Sequence, residues 1–356
     1  MFYPGSTVGS AANTALRWEK QIQSNIGFDL VVLNNKVTLN ADYFQKTVDG
    51  LLFTPAASLY LGTVPSPIAN IGATKTSGFD FTLNYNESIG KNLKFNTALT
   101  FTTATNLVTA TNDNGTAKIL GGFYFNGQSQ SVTVFEKGFA PGYFYGYKTA
   151  GLFQNAADVA ASPKQAGAQP GDIKYVDMNG DGVINASDQT NIGNPFPKFT
   201  MGWSLNLSYK NFDFNTFLYA SVGNDIYRAY ERNANFSNKD RSVLGRWTGE
   251  GTTNDARLPR YSFVDANSNI RVSDRYVEDG SFLKIKNIQL GYTFNTPASK
   301  KWFNSIRVYA QVKNAFVFTK YTGFDPEIAG GILDTGIDRG AYPQARTFAF
   351  GFDIKL

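Results

Sequence analysis

Six residues in one stretch carry the oxygen atoms and the spacing that a hard cation requires: Asp177, Asn179, Asp181, Val183, Asn185 and Asp188. They sit in Asp177-Met-Asn-Gly-Asp-Gly-Val-Ile-Asn-Ala-Ser-Asp188, the D-x-N-x-D-G spacing of a calcium loop, with Asp at the twelfth place instead of Glu. The side chains of Asp177, Asn179 and Asp181 and the Val183 carbonyl would supply oxygens, and Asp188 would close the shell. Asn185 would act directly or through water, and Gly182 permits the sharp turn. The alternative is a bare surface turn, since Asp, Asn and Gly also dominate turns. The full spacing favours an ion, Ca2+, that stiffens a loop instead of catalysing.

Other chemistry is thinner. Asp325-Pro-Glu327 and Glu278-Asp279 offer carboxylate pairs of the kind a glycosidase uses. Carboxylates are common on loops, so the expectation is no catalytic residue and no enzyme. The cluster Phe139-Ala-Pro-Gly-Tyr-Phe-Tyr-Gly-Tyr147 has stacking faces for a sugar, with anchoring at a membrane interface the favoured use. Trp302-Phe303 beside Lys300-Lys301 reads as the anchor of a short turn, and Arg241, Arg246 and Trp247 lie in a long loop suited to ligand. The 356 residues include no His and no Cys, which excludes Ser-His-Asp and Cys-His catalysis and ordinary zinc sites.

The elements that must hold these loops show in the side-chain alternation. Phe348, Phe350, Phe352, Ile354 and Leu356 share one face of an extended strand, opposite Thr347, Ala349, Gly351, Asp353 and Lys355. The same period of two runs through 22–32 and 37–43, through 79–85 and 93–101, through 199–209 and 212–218, and through 288–294 and 306–312. A weaker pair is expected at 132–137 and 143–153, giving about eleven strands. Short turns near 34–35, 89–92, 138–142, 210–211 and 295–304 alternate with long segments at 54–73, 104–130, 154–198, 223–281 and 314–345.

Short turns on one side and long loops on the other describe an antiparallel transmembrane β-barrel with periplasmic turns and extracellular loops. Charged residues are 17% and aromatics 15%, with 30 Phe and 19 Tyr, a low charge and high aromatic load against the usual quarter charged. Mean hydropathy is −0.26, as expected when half of every strand is wet. The net charge of +5 is scattered, which argues against nucleic acid. Met1-Phe-Tyr-Pro-Gly lacks the marks of a signal peptide, and an odd strand count cannot close an up-and-down barrel. The expectation is a fragment with further strands upstream.

Several stretches, taken together and in order, resemble the C-terminal half of the SusC/RagA family of TonB-dependent outer-membrane transporters. They are Leu16-Arg-Trp-Glu19, Asn25-Ile-Gly-Phe-Asp29, Asp42-Tyr43, Gly171 through Gly182, and Gly193-Asn-Pro-Phe-Pro197. The most specific is Tyr276-Val-Glu-Asp-Gly-Ser-Phe-Leu-Lys-Ile-Lys-Asn-Ile-Gln-Leu-Gly-Tyr292, followed by Asn314 and Phe324-Asp-Pro-Glu327. The resemblance implies that residues 1–356 are the C-terminal part of a 22-stranded receptor barrel in a Bacteroidota-like outer membrane. It implies uptake of an oligosaccharide or peptide, a SusD-like surface lipoprotein as partner, and energy from the TonB complex. The plug domain, TonB box and signal peptide of that family have no counterpart in this sequence, and Leu356 stands where the family usually ends in Phe. The alternatives are another outer-membrane barrel, such as a siderophore receptor or porin, and a soluble secreted carbohydrate-binding or hydrolytic β-protein.

Overall fold

The computed structural model describes residues 12–54, 67–111, 118–125, 129–231, 241–295 and 304–355. Nine long strands form one open antiparallel sheet in chain order. They are β1 (Lys20–Val32), β2 (Val37–Phe53), β3 (Ala69–Ile89), β4 (Leu93–Ala110) and β5 (Phe199–Tyr209). The wall continues with β6 (Phe212–Val222), β7 (Phe282–Asn295), β8 (Ser305–Thr319) and β9 (Thr347–Lys355). Among the described residues no helix is long and apolar enough to cross a membrane.

The register turns the sequence alternation into two continuous faces. Leu30 stands opposite Leu39, Leu39 opposite Leu83, Leu83 opposite Leu99, Leu99 opposite Trp203 and Trp203 opposite Leu218. That row crosses six strands without a polar side chain. On β9, Phe348, Phe350 and Phe352 are 66%, 83% and 71% exposed, so these rings have no protein core to enter. A soluble fold would bury such rows.

The opposite face is a hydrogen-bonded rail. Gln311 donates to Asn287 (2.7 Å) and Asn287 to Asn215 (2.7 Å). Asn215 in turn donates to Asn206, Asn206 to Asn96 (3.2 Å) and Asn96 to Asn86. Six adjacent strands thus contribute one side-chain amide each. Nearer the short turns, Arg307 on β8 reaches over β7 to grip Asp213 on β6 at 2.6 and 2.9 Å, and also meets Asp353 on β9 at 3.0 Å. The crossing needs Gly291, because a Cβ there would meet the Asp213 carboxylate and the Arg307 guanidinium.

Connections obey the expected asymmetry. The hairpin links at 33–36, 90–92 and 210–211 are tight, and Leu33, Asn34, Asn35 and Lys210 take left-handed φ near 55–66° or 53° to close them. The other ends carry long segments that fold together as a cap.

The wall corrects the expected strands at 132–137 and 143–153. Residues Thr133–Phe135 and Tyr143–Gly146 belong to a separate four-stranded sheet with Ile119–Gly121 and Thr190–Gly193. Val132, Val134, Phe135 and Phe144 are fully buried, so both faces of this segment are dry and it has no lipid face to offer. The turn at 138–142 therefore lies inside the cap, and the continuous wall has nine strands among the described residues. Several strands also extend farther than expected, since β2 reaches Phe53, β3 starts at Ala69 and β4 reaches Ala110. The polar ends of these strands lack the apolar beat by which strands were recognised.

The packed core sits in the cap. One cluster joins Tyr124, Val132, Phe144, Tyr227, Val272, Tyr276 and Ile337, and a second joins Tyr147, Leu152, Ile173, Tyr175 and Ile184.

Candidate functional site

Three of the stretches that carry the resemblance, 276–292, Asn314 and 324–327, converge on one place on the polar face. A register shift at Lys286 inserts one extra residue into β7 opposite Phe217 and Leu218 of β6. Such a bulge re-aims neighbouring side chains. Lys284 and Asn287, three residues apart, consequently both lie on the polar face, Lys284 opposite Tyr219 and Asn287 bonded to Asn215. On β8 the compensating residues are Asn314 and Ala315. Asn314 adopts φ 51°, a left-handed conformation that Asn tolerates, and its amide donates to the Ala345 carbonyl just before β9.

Asp325 and Glu327 descend onto this bulge from the segment after β8. The Lys284 ammonium is 2.6 Å from Asp325 and 2.8 Å from Glu327, and its side chain is only 1% exposed. Lys286 binds both Glu327 oxygens at 2.6 and 2.7 Å. The Gln344 backbone N–H donates to Asp325, and its side-chain amide donates to Glu327. Burial alone would raise both carboxyls. The Lys284 ammonium and two backbone amides outweigh it at Asp325, and the Lys284 and Lys286 ammoniums do so at Glu327, so both lie below the usual carboxylate range. Neither is a proton donor at neutral pH, which removes the acid that a glycosidase pair needs.

Glu278, the other carboxylate considered for catalysis, accepts from the Thr322 backbone N–H at 2.9 Å and hydroxyl at 2.8 Å, and pairs with Arg228. Asp279 accepts from the Ser281 amide at 2.9 Å. Both brace cap loops.

The cation-like loop adopts a tight wrap. Asp177 accepts from Gly180 at 2.7 Å and from Gly182 at 2.8 Å, Asn179 from Asp181 at 2.9 Å, and Asp181 from Val183 at 2.8 Å. Gly180 and Gly182 have φ of 75° and 80°, as the reversal requires. The Asn185 amide nitrogen faces both Asp181 (3.3 Å) and the Val183 carbonyl (3.2 Å), so oxygens from two ligand positions converge on one donor. The Val183 and Asn179 contacts hold the Asp181 carboxyl below its ordinary range. Asp188 behaves differently. It is fully buried, and its two oxygens accept from the Met178 and Asn185 backbone amides at 2.9 and 2.7 Å. The described residues contain no group of three or more acidic side chains gathered at metal spacing. The loop is tied to the second cap cluster by Lys164, whose N–H donates to the Gly182 carbonyl and whose carbonyl accepts from Ile184.

Three of the five rings in the aromatic stretch 139–147 correct the expected interfacial anchor, while Phe139 is exposed and Tyr145 part-buried. Tyr143 and Phe144 are 1% and 0% exposed and Tyr147 is 8% exposed, so these rings are cap core with no face left for lipid or sugar. Burial and the Glu136 carboxylate raise the Tyr143 hydroxyl above its ordinary value. Trp247 packs on the second cluster and over Gly171, which makes it structural. Arg246 contacts the Val243 carbonyl and Arg241 is exposed. Trp302, Phe303, Lys300, Lys301 and Leu356 lie outside the described residues. Reading the sequence missed Lys284 and Lys286 as site residues, although the bulge is foreshadowed by two lysines and an asparagine breaking the apolar beat in Leu283-Lys-Ile-Lys-Asn287.

Comparison with known proteins agrees with this architecture. The chain is 32% identical over 99% of its length to TonB-dependent receptor P3 of Formosa agariphila, covering 36% of that protein. It is 29% identical over 99% of its length to TonB-dependent receptor SusC of Bacteroides thetaiotaomicron, covering 34% of it. The chain thus spans about a third of these relatives. The structure of the RagAB peptide transporter superposes with a TM-score of 0.77 over 98% of this chain and 36% of that one, at 23% identity, which speaks for the fold. The family model described as TonB dependent receptor-like, beta-barrel matches residues 1–315. With a nine-stranded two-faced wall and a matching model over most of its length, the chain belongs to the TonB-dependent receptor-like β-barrel family.

Proposed function

We propose that this chain supplies part of the wall and outer cap of an outer-membrane transporter that imports an oligosaccharide or a peptide. The observation that carries the reading is the pair of opposed faces. One is an unbroken apolar row from Leu30 to Leu218, and the other is an amide rail from Gln311 to Asn86. Hydrocarbon solvates the first and water the second. The outer edges of β1 and β9 pair with no further strand among the described residues. Unpaired edges are very costly in lipid, so in the working protein they meet further strands of a closed barrel. A SusD-like lipoprotein covering the cap and TonB-driven opening complete the reading, supported by the likeness to SusC and to RagAB.

The experiment is deletion of the full-length gene followed by uptake assays with oligosaccharide and peptide mixtures. Loss of uptake of one class, restored by the gene, is expected; undiminished uptake of both overturns the transporter reading.

The loop at 177–188 is proposed to hold Ca2+ through Asp177, Asn179, Asp181, the Val183 carbonyl and Asn185, with Asp188 bracing the loop from behind. The convergence of Asp181 and Val183 oxygens on the Asn185 amide supports it. Calcium at about 100 times its dissociation constant is expected to stabilise the cap by about 2.7 kcal/mol. Titration calorimetry should show one calcium taken up, and none after Asp181→Ala. An absence of heat with the unmutated protein rejects the ion.

A further inference from the structure

The ion cluster on the polar face has a geometry that goes beyond holding a loop in place. Residues 323–331 run Gly-Phe-Asp-Pro-Glu-Ile-Ala-Gly-Gly, with Gly323 at one end and Gly330–Gly331 at the other. Both flanks are woven into the cap. On the leading side the Tyr321 hydroxyl donates to Asp338 at 2.6 Å, and Thr322 is bonded to Glu278. On the trailing side the Leu333 carbonyl accepts from Thr133 at 2.7 Å, while Gly336 and Asp338 accept from Tyr227 and Ala229. Between these fixed ends the tip touches the wall through charge: Asp325 and Glu327 on Lys284 and Lys286. Phe324 is 74% exposed and adds no apolar anchor, while Pro326 is buried beside the two carboxylates.

We propose that residues 323–331 form a flap, hinged at Gly323 and Gly330–Gly331, which a latch of Lys284 and Lys286 with Asp325 and Glu327 holds against the inner wall. Released, the flap swings from the wall while its flanks stay in the cap, and it bares two lysines to the passage. The hinge follows from chemistry, since glycine loses least when the backbone is re-aimed. The latch follows from burial, since an ammonium as enclosed as that of Lys284 has lost its water and needs carboxylates beside it to offset that loss.

Acid is one way to open it. The groups facing Glu327 are Lys284 and Lys286 on β7, Tyr219 on β6 and Asp325 beside it. Both carboxyls have lowered values in the closed flap. Closure is therefore complete above the ordinary carboxylate range, near 4, and fades as pH falls through the lowered values. The latch is shut throughout the neutral range.

The test uses the full-length protein with a nitroxide on a cysteine at Ala329, an exposed flap position; residues 1–356 hold no native Cys, and any cysteine elsewhere is first replaced by Ser. Near pH 7 the label is expected to be immobilised. Asp325→Asn with Glu327→Gln should raise the fast-tumbling component at least about tenfold, as should Lys286→Met, while Lys286→Arg leaves it unchanged. Should the double variant fail to assemble, Lys286→Met, which keeps Lys284 paired, carries the test alone. A label equally immobile in Lys286→Met, or equally freed by Lys286→Arg, overturns the latch. Uptake is not read, so this outcome is separate from that of the transport assay.

Discussion

Leu99→Arg is expected to abolish assembly of the wall, whereas Ala98→Arg, one residue away, leaves a folded barrel. Leu99 stands in the centre of the row Leu83–Leu99–Trp203 and is 37% exposed, with its remaining surface turned outward. It lies six residues above the first residue of β4, Leu93. At 3.3 Å per residue and a tilt of about 40°, that is about 15 Å of height, close to the middle of an apolar band roughly 25 Å tall. Arginine there costs roughly 2–4 kcal/mol, close to the largest penalty that a single site on a lipid face can carry. Ala98 stands between Asn84 and Ser204 on the wet face, where a guanidinium stays hydrated. The readout is the heat-modifiable gel mobility of folded barrels in outer-membrane fractions. Equal loss for both variants would show that the two faces are assigned wrongly.

The wall was legible because its physics is local. A strand with lipid on one side and water on the other writes its facing into every second residue, as Phe348-Ala-Phe-Gly-Phe-Asp-Ile354 does. The tight turns were legible for the same reason, since Asn34-Asn35 and Lys210 take left-handed backbone where the strand pattern reverses. The cap was not. Val132 and Phe144 are fully buried in a cluster with residues from more than eighty positions farther along the chain, such as Tyr227 and Ile337. Such a segment shows no period of two, and its apolar residues look like a short strand of the wall.

The ion cluster lies between these cases. Asp325 and Glu327 were visible as carboxylates, and Lys284 and Lys286 sat inside a recognised stretch, yet nothing in the sequence joined them. Their pairing spans about forty residues and depends on a one-residue bulge in β7, matched by Asn314 and Ala315 in β8. Bulges change which side a residue faces without changing its identity, so the parity of Ile288 and Leu290 carried back through the bulge assigns Lys284 to the wrong face. The calcium-like loop was fully legible in spacing. The two backbone amides that Asp188 meets were not legible, because their position depends on the turn at 185–188.

Phe144→Ala is expected to open the cap while the wall survives. Phe144 is fully buried, its ring lies 5.8 Å from that of Tyr227, and it packs in the cluster that also holds Val272, Tyr276 and Ile337. Truncating a ring so enclosed removes its transfer energy and leaves a cavity, about 3–5 kcal/mol together. That loss falls on loops whose stability comes from this core, since the wall strands pair with one another and not with the cap sheet. Opening of the cap should therefore rise at least a hundredfold, as the conversion of 1.4 kcal/mol per tenfold requires. Phe139→Ala, at a ring 40% exposed, should change opening by less than about tenfold. Limited proteolysis of the full-length protein reads both, with cleavage expected at cap residues and the barrel keeping its folded gel mobility. Unchanged protection in Phe144→Ala would mean that the cap is held by its neighbours in the membrane and not by its own core.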